Sequence, residues 1–547
     1  MSHSQPTTML NIQLDGEWVQ SPSGLNVIET AKRFGKLIPH YCYHPKLEIA
    51  GNCRMCFFEQ GVPQKDAEGK FILGGDGKPQ LRWLPRPQIA CGTKISEGMG
   101  IRTNSPLIQE CRKGVLEFLL INHPLDCPIC DKAGECKLQE FSSDFSSGRS
   151  RFIEEKVKKS KQVDLGARII LDNERCILCS RCVRFTRDIL RDDVLGFVKR
   201  GGQVALAAHP DRPFNNEYSL NTVDICPVGA LTSKDFRFKM RSWFLKETKS
   251  VCASCGTGCN VTISSRESKI YRLTPRVNEG VNSHWMCDFG RLDFHHLEHP
   301  DRFRQPLLQR NGKRETVAWQ EIYESIRECM KPYQGEQVAV IASARMTNEE
   351  LFLLRRWADA FNVGFMDIVP RSWQGDDFLK SQDRNPNASG AQLLGISHGG
   401  EKLSSIRENI ANGKIRALFV FHEDPTQAGI TEEMLSQLDL LAFVGLLPNA
   451  ASSRAHFILP SAGFAEKDGT MINVKGRLQR LRRAVLPPVE ALDDWRILCE
   501  LSRETSAADT RFDSASAVFS AMIKACAPLR NISWDQIGDE GIQLNLA

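Results

Sequence analysis

The chain has 547 residues, of which 25% are charged, and a formal net charge of +5. A length of this order divides into several domains, because single hydrophobic cores stop growing near about 250–300 residues. The charge is too mild, with no basic stretch, to support nucleic-acid binding. The longest apolar stretches, Val115–Ile121, interrupted by Glu117, and Leu440–Leu447, fall short of the roughly 20 residues that span a bilayer.

Taken in order, the chain begins MSHSQPTTMLNIQLDGEW, without a secretory core or an Arg-rich leader, which predicts a reducing, cytoplasm-like compartment. Residues 10–14 alternate as a strand, Asp15-Gly16 makes a turn, and Asn26–Phe34 reads as a helix ending at Gly35. A loop follows, then a Gly- and Pro-rich hairpin-like segment, Gly61–Pro87. Ser105-Pro106 opens a helix that runs through Val115–Ile121, with Cys111 packed inside it. Ser142–Lys161 is Ser-rich and then charged, and reads as a surface connection. Gly166–Leu171 predicts a strand. Beyond residue 287, Gln337–Ala342 and Ile415–Phe421 read as buried strands. Thr347-x-x-Glu350 is a capping box for a helix to about Phe361, and another helix starts near Thr431. Strands alternating with helices predict a mostly parallel α/β sheet, and neither G-x-G-x-x-G nor G-x-x-x-x-G-K-[ST] accompanies it.

The chemistry lies in the cysteines. Sixteen of the nineteen precede residue 288, and in a reducing compartment they are metal ligands sooner than disulfides. Fifteen of them, with His123, form four sets of four. The first is Cys42, Cys53, Cys56 and Cys91, spaced C-x10-C-x2-C-x34-C, which resembles a plant-type [2Fe–2S] pattern loosely. The second is His123 with Cys127, Cys130 and Cys136, wrapped by Pro and Gly turn-formers. The third, Cys176-x2-Cys179-x2-Cys182 with a remote Cys226-Pro227, has the form of a bacterial ferredoxin run holding one [4Fe–4S] cluster. The fourth, Cys252, Cys255, Cys259 and Cys287, places Gly256 and Gly258 in a tight loop that suits a second cubane. Zinc also favours four thiolates, or three with a histidine, although it more naturally takes paired doublets than triplets. A histidine just after a helix is more often a cap or surface residue than a ligand. Here it completes a set of three thiols that is otherwise one short, and neutral imidazole would raise a cluster's potential.

Four strings carry a family resemblance: Ile38-Pro39-His40-Tyr41-Cys42-Tyr43-His44, Gly51-x-Cys53-Arg54-Met55-Cys56, Asn122-His123-Pro124-Leu125-Asp126-Cys127-Pro128-Ile129-Cys130-Asp131, and Cys176-Ile-Leu-Cys179-Ser-Arg-Cys182-Val-Arg-Phe. Over residues 8 to about 240 the chain resembles the large iron–sulfur subunit of the peripheral arm of NADH:quinone oxidoreductase (respiratory complex I), the bacterial G subunit or the mitochondrial 75-kDa subunit. The resemblance implies an α+β multidomain protein. Its parts are a β-grasp [2Fe–2S] ferredoxin-like domain at 8–95, a mixed histidine–cysteine [4Fe–4S] domain at 96–145 and a ferredoxin-like [4Fe–4S] domain at 165–240. A molybdopterin-oxidoreductase-type [4Fe–4S] domain follows at 248–304, then a molybdopterin-oxidoreductase-like α/β domain at 305–547 without the C-terminal barrel. That last likeness is clearest at His456-Phe-Ile-Leu-Pro460 and Glu466-Lys-Asp-Gly-Thr470. It assigns one [2Fe–2S] cluster to the first set and three [4Fe–4S] clusters to the others. No molybdopterin is expected, since no cysteine lies between Cys329 and Cys499.

The function implied is an electron relay from an FMN- and NADH-binding subunit toward a quinone site, both on partner chains of a proton-translocating complex. The chain itself needs no catalytic residue and no membrane span, and sits on the cytoplasmic side of a bacterial inner membrane, or the matrix side if mitochondrial. The same chemistry admits an electron-transfer subunit of a soluble NAD-linked hydrogenase or formate dehydrogenase, and a different class admits a zinc-stabilised scaffold.

Overall fold

A computed structural model describes residues 8–146, 148–506 and 511–546, so the first seven residues of the N-terminal stretch lie outside it. The chain forms two compact units that meet in sequence at Trp243 and Phe244.

The first unit opens with β1 (Met9–Leu14) and β2 (Glu17–Pro22), an antiparallel hairpin turning at Asp15 and Gly16. Both have positive φ, 49° and 95°, as a tight primed turn requires. Helix α1 (Val27–Arg33) starts at a reciprocal capping box between Asn26 and Glu29. Then come β3 (Phe57–Pro63), β4 (Leu81–Trp83), β5 (Gln88–Ile89) and β6 (Gly100–Arg102). The sheet order is β2-β1-β6-β3-β4, with β1 and β6 parallel and β5 beside β3. Ile12, Leu14, Val27, Ile28, Phe58 and Ile101 fill the space beneath α1. This is the expected β-grasp arrangement, and Phe57–Pro63 with Leu81–Trp83 forms the expected hairpin.

Helix α2 (Pro106–Leu120) begins where Ser105 Oγ accepts from the Ile108 N–H at 3.3 Å. Its buried Arg112 donates to Thr103 O at 2.8 Å, pinning the helix to the sheet. Helix α3 (Lys137–Phe145) runs into the stretch expected to be a surface connection. Leu138, Phe141 and Phe145 recur at helical spacing and the first two are buried, an apolar stripe that the intervening serines obscure. Beyond it, β7 (Val163–Asp164), β8 (Ile169–Leu171), α4 (Arg181–Arg184), β9 (Leu195–Val198), β10 (Ala205–Ala208), α5 (Asn221–Ile225) and β11 (Leu231–Ser233) are all short. They pair as β11-β8-β7 and β10-β9.

The second unit starts with the antiparallel β12 (Lys246–Val251), β13 (Asn260–Arg266) and β14 (Lys269–Pro275), then α6 (Asp288–Leu292). The α/β region follows: β15 (Leu307–Arg310), β16 (Lys313–Thr316), α7 (Trp319–Met330), β17 (Val338–Ala342), α8 (Asn348–Ala360), β18 (Phe365–Ile368), α9 (Ala388–Leu393), α10 (Leu403–Ala411), β19 (Ala417–Phe421) and α11 (Glu432–Leu435). It continues with β20 (Leu440–Gly445), α12 (Ala450–Arg454), β21 (Phe457–Pro460), β22 (Gly469–Ile472), β23 (Arg477–Leu481), α13 (Asp494–Ser506), α14 (Ala515–Ala525) and β24 (Ile542–Gln543). Seven strands form one sheet in the order β16-β15-β21-β20-β19-β17-β18, parallel from β21 to β18 with an antiparallel edge.

Alternate residues of its strands face opposite layers. Val340, Phe419 and Val444 meet α7, α8, α13 and α14, whereas Ile341, Val420 and Phe443 meet α10, α11 and α12. Burial on both faces explains why these strands read as continuous apolar runs. The helix expected near Thr431 is one turn, because the chain must re-enter the sheet at Leu440. Among the described residues no sheet closes into a barrel, and no helix is long and apolar enough to cross a membrane.

Candidate iron–sulfur sites

The first set lies in the α1–β3 loop and just after β5. Its thiols hydrogen-bond in two pairs, Cys42 with Cys53 and Cys56 with Cys91, and the Cys42 charge reaches Cys56 and Cys91 as well. The Cys53 hydrogen bond, assisted by the N–H groups of Cys53 and Asn52, holds Cys42 below the usual thiol range. Its partner Cys53 is pushed up. Gly51 has φ +60° and a side chain there would stand 2.9 Å from Ile89, so the loop turns on a residue without Cβ.

The second set follows α2. Cys127 opens a single 3₁₀ turn and is exposed, while Cys130 and Cys136 are buried and raised mainly by that burial. Asp126 is pinned by Arg175 at 3.0 Å and Lys161 at 2.7 Å, which fixes the start of the loop. The electrostatic neighbours of His123 are Arg175, Lys156, Asp126 and Asp172, and Arg175 also acts on Cys130. Burial, with Arg175 and Lys156, lowers His123 to about 4, so its imidazole is neutral at pH 7, the form that ligates metal. Its Nδ1 is buried and has no hydrogen-bond partner among the described residues.

The third set lines a small cavity, with Cys182 and Cys226 buried and Cys176 and Cys179 half-buried. Cys176, Cys179, Cys182 and Cys226 act on one another and line one cavity with Ile177, Leu206, Val228 and Leu231. Leu178 and Ser180, either side of Cys179, have φ of 54° and 61°. Alternating left-handed residues turn successive N–H groups inward, the concave nest that recurs at anionic and iron–sulfur sites. The N–H groups of Leu178 and Arg181 serve Cys176 and Cys179. Burial still pushes these two thiols up to about 12 and about 11. Metal binding must therefore displace protons. Directly after Arg181–Arg184 the chain widens into a π turn over Phe185–Ile189, with Leu190 N–H donating to Phe185 O at 3.1 Å.

The fourth set joins β12 to β13 and is closed by Cys287 at the start of α6. All four thiols interact. Burial raises Cys252, Cys259 and Cys287, the last to about 12 although Gly290 N–H donates to it at 3.3 Å. A Cβ on Gly290 would stand 2.9 Å from Cys252 Sγ.

Three contacts in the first unit tie one set to another, and none is foreseeable from spacing. A Cβ on Gly229 would stand 2.3 Å from Cys130 Sγ, so the segment after Cys226 abuts the second set. Tyr41, next to Cys42, is fully buried with its hydroxyl unpartnered among the described residues, feels both Cys53 and Cys136, and has its ring 5.5 Å from Phe141 of α3. Arg181 and Arg184 reach carbonyls in the loops of the first set. The string Cys179-Ser-Arg-Cys182-Val-Arg contains both arginines, but spacing gives an arginine no role.

The donor chemistry fits iron and sulfide: thiols in three sets of four and one set of three, most of them buried, N–H groups turned toward sulfur, and one neutral imidazole. Among the described residues no three His, Cys, Asp or Glu side chains gather as ligands of a single ion. In the second unit a separate cavity of about 390 Å³ opens beyond the carboxyl ends of β17, β19 and β20, with Arg345, Arg371, His422, Glu423 and Lys467 in its walls. Those walls offer guanidinium, ammonium, imidazole and carboxylate groups.

Comparison with known proteins first gives the class. Family models match as a 2Fe-2S iron-sulfur cluster binding domain over residues 7–106 and an NADH-ubiquinone oxidoreductase-G iron-sulfur binding region over 112–151. Two more match as an NADH-quinone oxidoreductase subunit 3 ferredoxin-like domain over 166–232 and an NADH-ubiquinone oxidoreductase NDSU1/NuoG-like 4Fe-4S domain over 245–294. A molybdopterin oxidoreductase model matches 374–504. The chain thus carries a 2Fe-2S domain, several 4Fe-4S binding domains and a molybdopterin-oxidoreductase-like region.

The relatives then bear out the resemblance read from the motifs. The G subunit of NADH-quinone oxidoreductase from Rickettsia felis is 37% identical over 63% of this chain and 48% of its own length. The NADH-ubiquinone oxidoreductase 75 kDa subunit of Reclinomonas americana is 37% identical over 63% and 47%, and NADH-quinone oxidoreductase subunit 3 of Thermus thermophilus 33% over 66% and 48%. The chain spans about half the length of these curated relatives. A chain of a solved NAD+-reducing [NiFe]-hydrogenase has 26% identity and a TM-score of 0.35, over 43% of this chain and 91% of that one.

Proposed function

We propose that this chain is an electron-relay subunit of the peripheral arm of an NADH:quinone oxidoreductase. One [2Fe–2S] cluster is held by Cys42, Cys53, Cys56 and Cys91. Three [4Fe–4S] clusters are held by His123, Cys127, Cys130 and Cys136, by Cys176, Cys179, Cys182 and Cys226, and by Cys252, Cys255, Cys259 and Cys287. Electrons enter from a partner subunit carrying FMN and the NADH site and leave toward the quinone site through other peripheral-arm iron–sulfur subunits, on the cytoplasmic side of the membrane.

The observation that supports this best is the direct contact between successive ligand loops of the first unit, such as Gly229 against Cys130. A relay needs centres held next to one another, whereas metal sites that only brace a fold have no such need. Clusters supply one-electron oxidation and reduction. The chain supplies their separation, and burial, N–H groups and nearby cations set their potentials. Neutral His123 brings less negative charge than a thiolate and would raise the potential of its centre.

The test is iron, zinc and acid-labile sulfide analysis of anaerobically purified protein, with low-temperature EPR after dithionite reduction. One binuclear and three tetranuclear signals are expected, and His123→Ala should perturb a single tetranuclear signal while His123→Cys keeps it at a lower potential. Zinc in place of iron and sulfide would overturn the relay, and four signals untouched by His123→Ala would remove His123 from the ligand set.

A further inference from the structure

Arg184 stands on α4, just past the last cysteine of the C-x2-C-x2-C run in the third set, and is only 5% exposed. Its guanidinium makes four contacts. One Nη donates to Cys42 O at 2.5 Å and to Cys179 O at 3.3 Å, the other Nη donates to Glu48 O, and Nε donates to Ser180 Oγ at 3.1 Å. Cys42 belongs to the first ligand set and Cys179 to the third, so one nitrogen joins the peptide groups of two ligands 137 positions apart in sequence. Arg181, one helical turn earlier, repeats the pattern: it donates to Ile225 O at 3.0 Å, beside Cys226, and to Tyr43 O, beside Cys42. Asn52 Nδ2 adds a third tie, to Leu178 O at 3.3 Å.

Among the described residues Arg184 has no carboxylate partner. A buried guanidinium left in that state is costly, and carbonyl oxygens offset only part of the loss. Its charge acts on two thiols, Cys42 and Cys179, one from each set. Iron–sulfide groups held by four thiolates are anionic, and one on either side supplies the missing counter-charge. The planar fork explains why an arginine stands here, since a lysine has neither the geometry nor the five donors to hold several acceptors at once.

Resting on the cluster assignments proposed above, we infer that Arg184 is a positioning residue shared by the first and third centres, clamping their loops together and serving as counter-ion to both. Removing its charge should therefore move two centres and spare the other two.

The experiment uses the full chain purified anaerobically, with Arg184→Gln, Arg184→Lys and, as control, Arg187→Gln, an exposed arginine on the same segment paired with Asp188. The readouts are iron and sulfide content, redox titration followed by EPR, and the spin–spin interaction between the binuclear centre and the all-cysteine tetranuclear centre. Arg184→Gln should lower the midpoint potentials of both, or lose iron from both. Arg184→Lys keeps the charge, so it should shift the potentials less while altering the spin–spin interaction. The histidine-ligated and fourth centres, and the control, should match the parent. A shift confined to one centre, no shift, or equal change in all four centres of Arg184→Lys would overturn the proposal. A parent protein lacking the two centres would instead overturn the cluster assignments.

Discussion

The loop around Cys176, Cys179, Cys182 and Cys226 rests on little regular structure: β7, β8 and β11 are two or three residues long, and α4 is a single turn. The loop around Cys252, Cys255, Cys259 and Cys287 sits at the end of two seven-residue strands over a core of Val261, Ile263, Ile270 and Leu273. Their anchors differ in kind. Charged arginines tie the third set to another ligand loop. Neutral amides tie the fourth to its scaffold: Gln479 donates to Gly258 O at 2.9 Å, Asn473 to Thr257 O at 3.1 Å, and Asn260, Asn278 and Asn282 bond among themselves. The same donor set of four thiols is thus tied in one case to a neighbouring loop and in the other to its own scaffold.

Removing the metal should expose that contrast most strongly. Ligands that must be deprotonated and gathered contribute folding free energy only while the metal holds them. Anaerobic chelation with an oxidant should abolish hydrogen-exchange protection over β8, α4, α5 and β11, while β17, β19 and β20 stay protected and β12–β14 lose protection only near the cysteine loop. Equal loss in both units would show that the fourth loop leans on its cluster as heavily as the third.

A smaller effect should come from pH and touch only the scaffold of the fourth set. Glu349 is fully buried in the first turn of α8 and accepts from Thr470 N–H at 2.8 Å and Thr470 Oγ at 2.7 Å, which holds β22 just ahead of Asn473. Burial raises its carboxyl from 4.5 to about 7. The folded state therefore binds the proton more tightly than the unfolded chain. Its contribution is complete below pH 4.5 and is lost as pH rises through about 7, a swing of about 3 kcal/mol at most. The thermal stability of the second unit should fall as pH rises across that range, and Glu349→Gln should flatten the slope without altering the first unit. A slope of the same size in the variant would assign the effect to another group.

Much of this architecture is legible in local patterns, and the rest depends on pairs distant in sequence. Asp15-Gly16, Ser105-Pro106 and the Thr347–Glu350 box each announce an element boundary, because caps and turns are settled within four residues. Cysteine spacing marks the short runs Cys53–Cys56, Cys127–Cys136, Cys176–Cys182 and Cys252–Cys259 in the same local way, whereas Cys91, Cys226 and Cys287 stand far from the runs with which they are grouped in the proposal above. Helix α3 is hidden because Ser142 and Ser143 dilute the stripe that Phe141 and Phe145 complete. The β15–β16 hairpin is local, but its place at the antiparallel edge follows from a pairing distant in sequence, Leu307 with Ile458, and the insertion of β19 beside β17 likewise joins Val338 to Ala417. The clamp by Arg184 is of that kind too, since an arginine that bonds carbonyl oxygens leaves no partner residue type to search for.

The smallest change that still separates the two loops is Asn282→Ala. Asn282 is 2% exposed; its Oδ1 accepts from Asn260 N–H at 2.9 Å and its Nδ2 donates to Trp285 O at 2.9 Å, two residues before Cys287. Truncation leaves the buried Asn260 N–H without its acceptor and removes a donor from Trp285 O, at about 1–3 kcal/mol. The fourth centre should then broaden in EPR or lose iron while the other three keep their signals. Arg184→Gln, by contrast, should move two centres together. If Asn282→Ala also disturbs the centre at Cys176–Cys226, the fourth loop is not anchored to its scaffold alone, and the division between neighbour-held and protein-held centres fails.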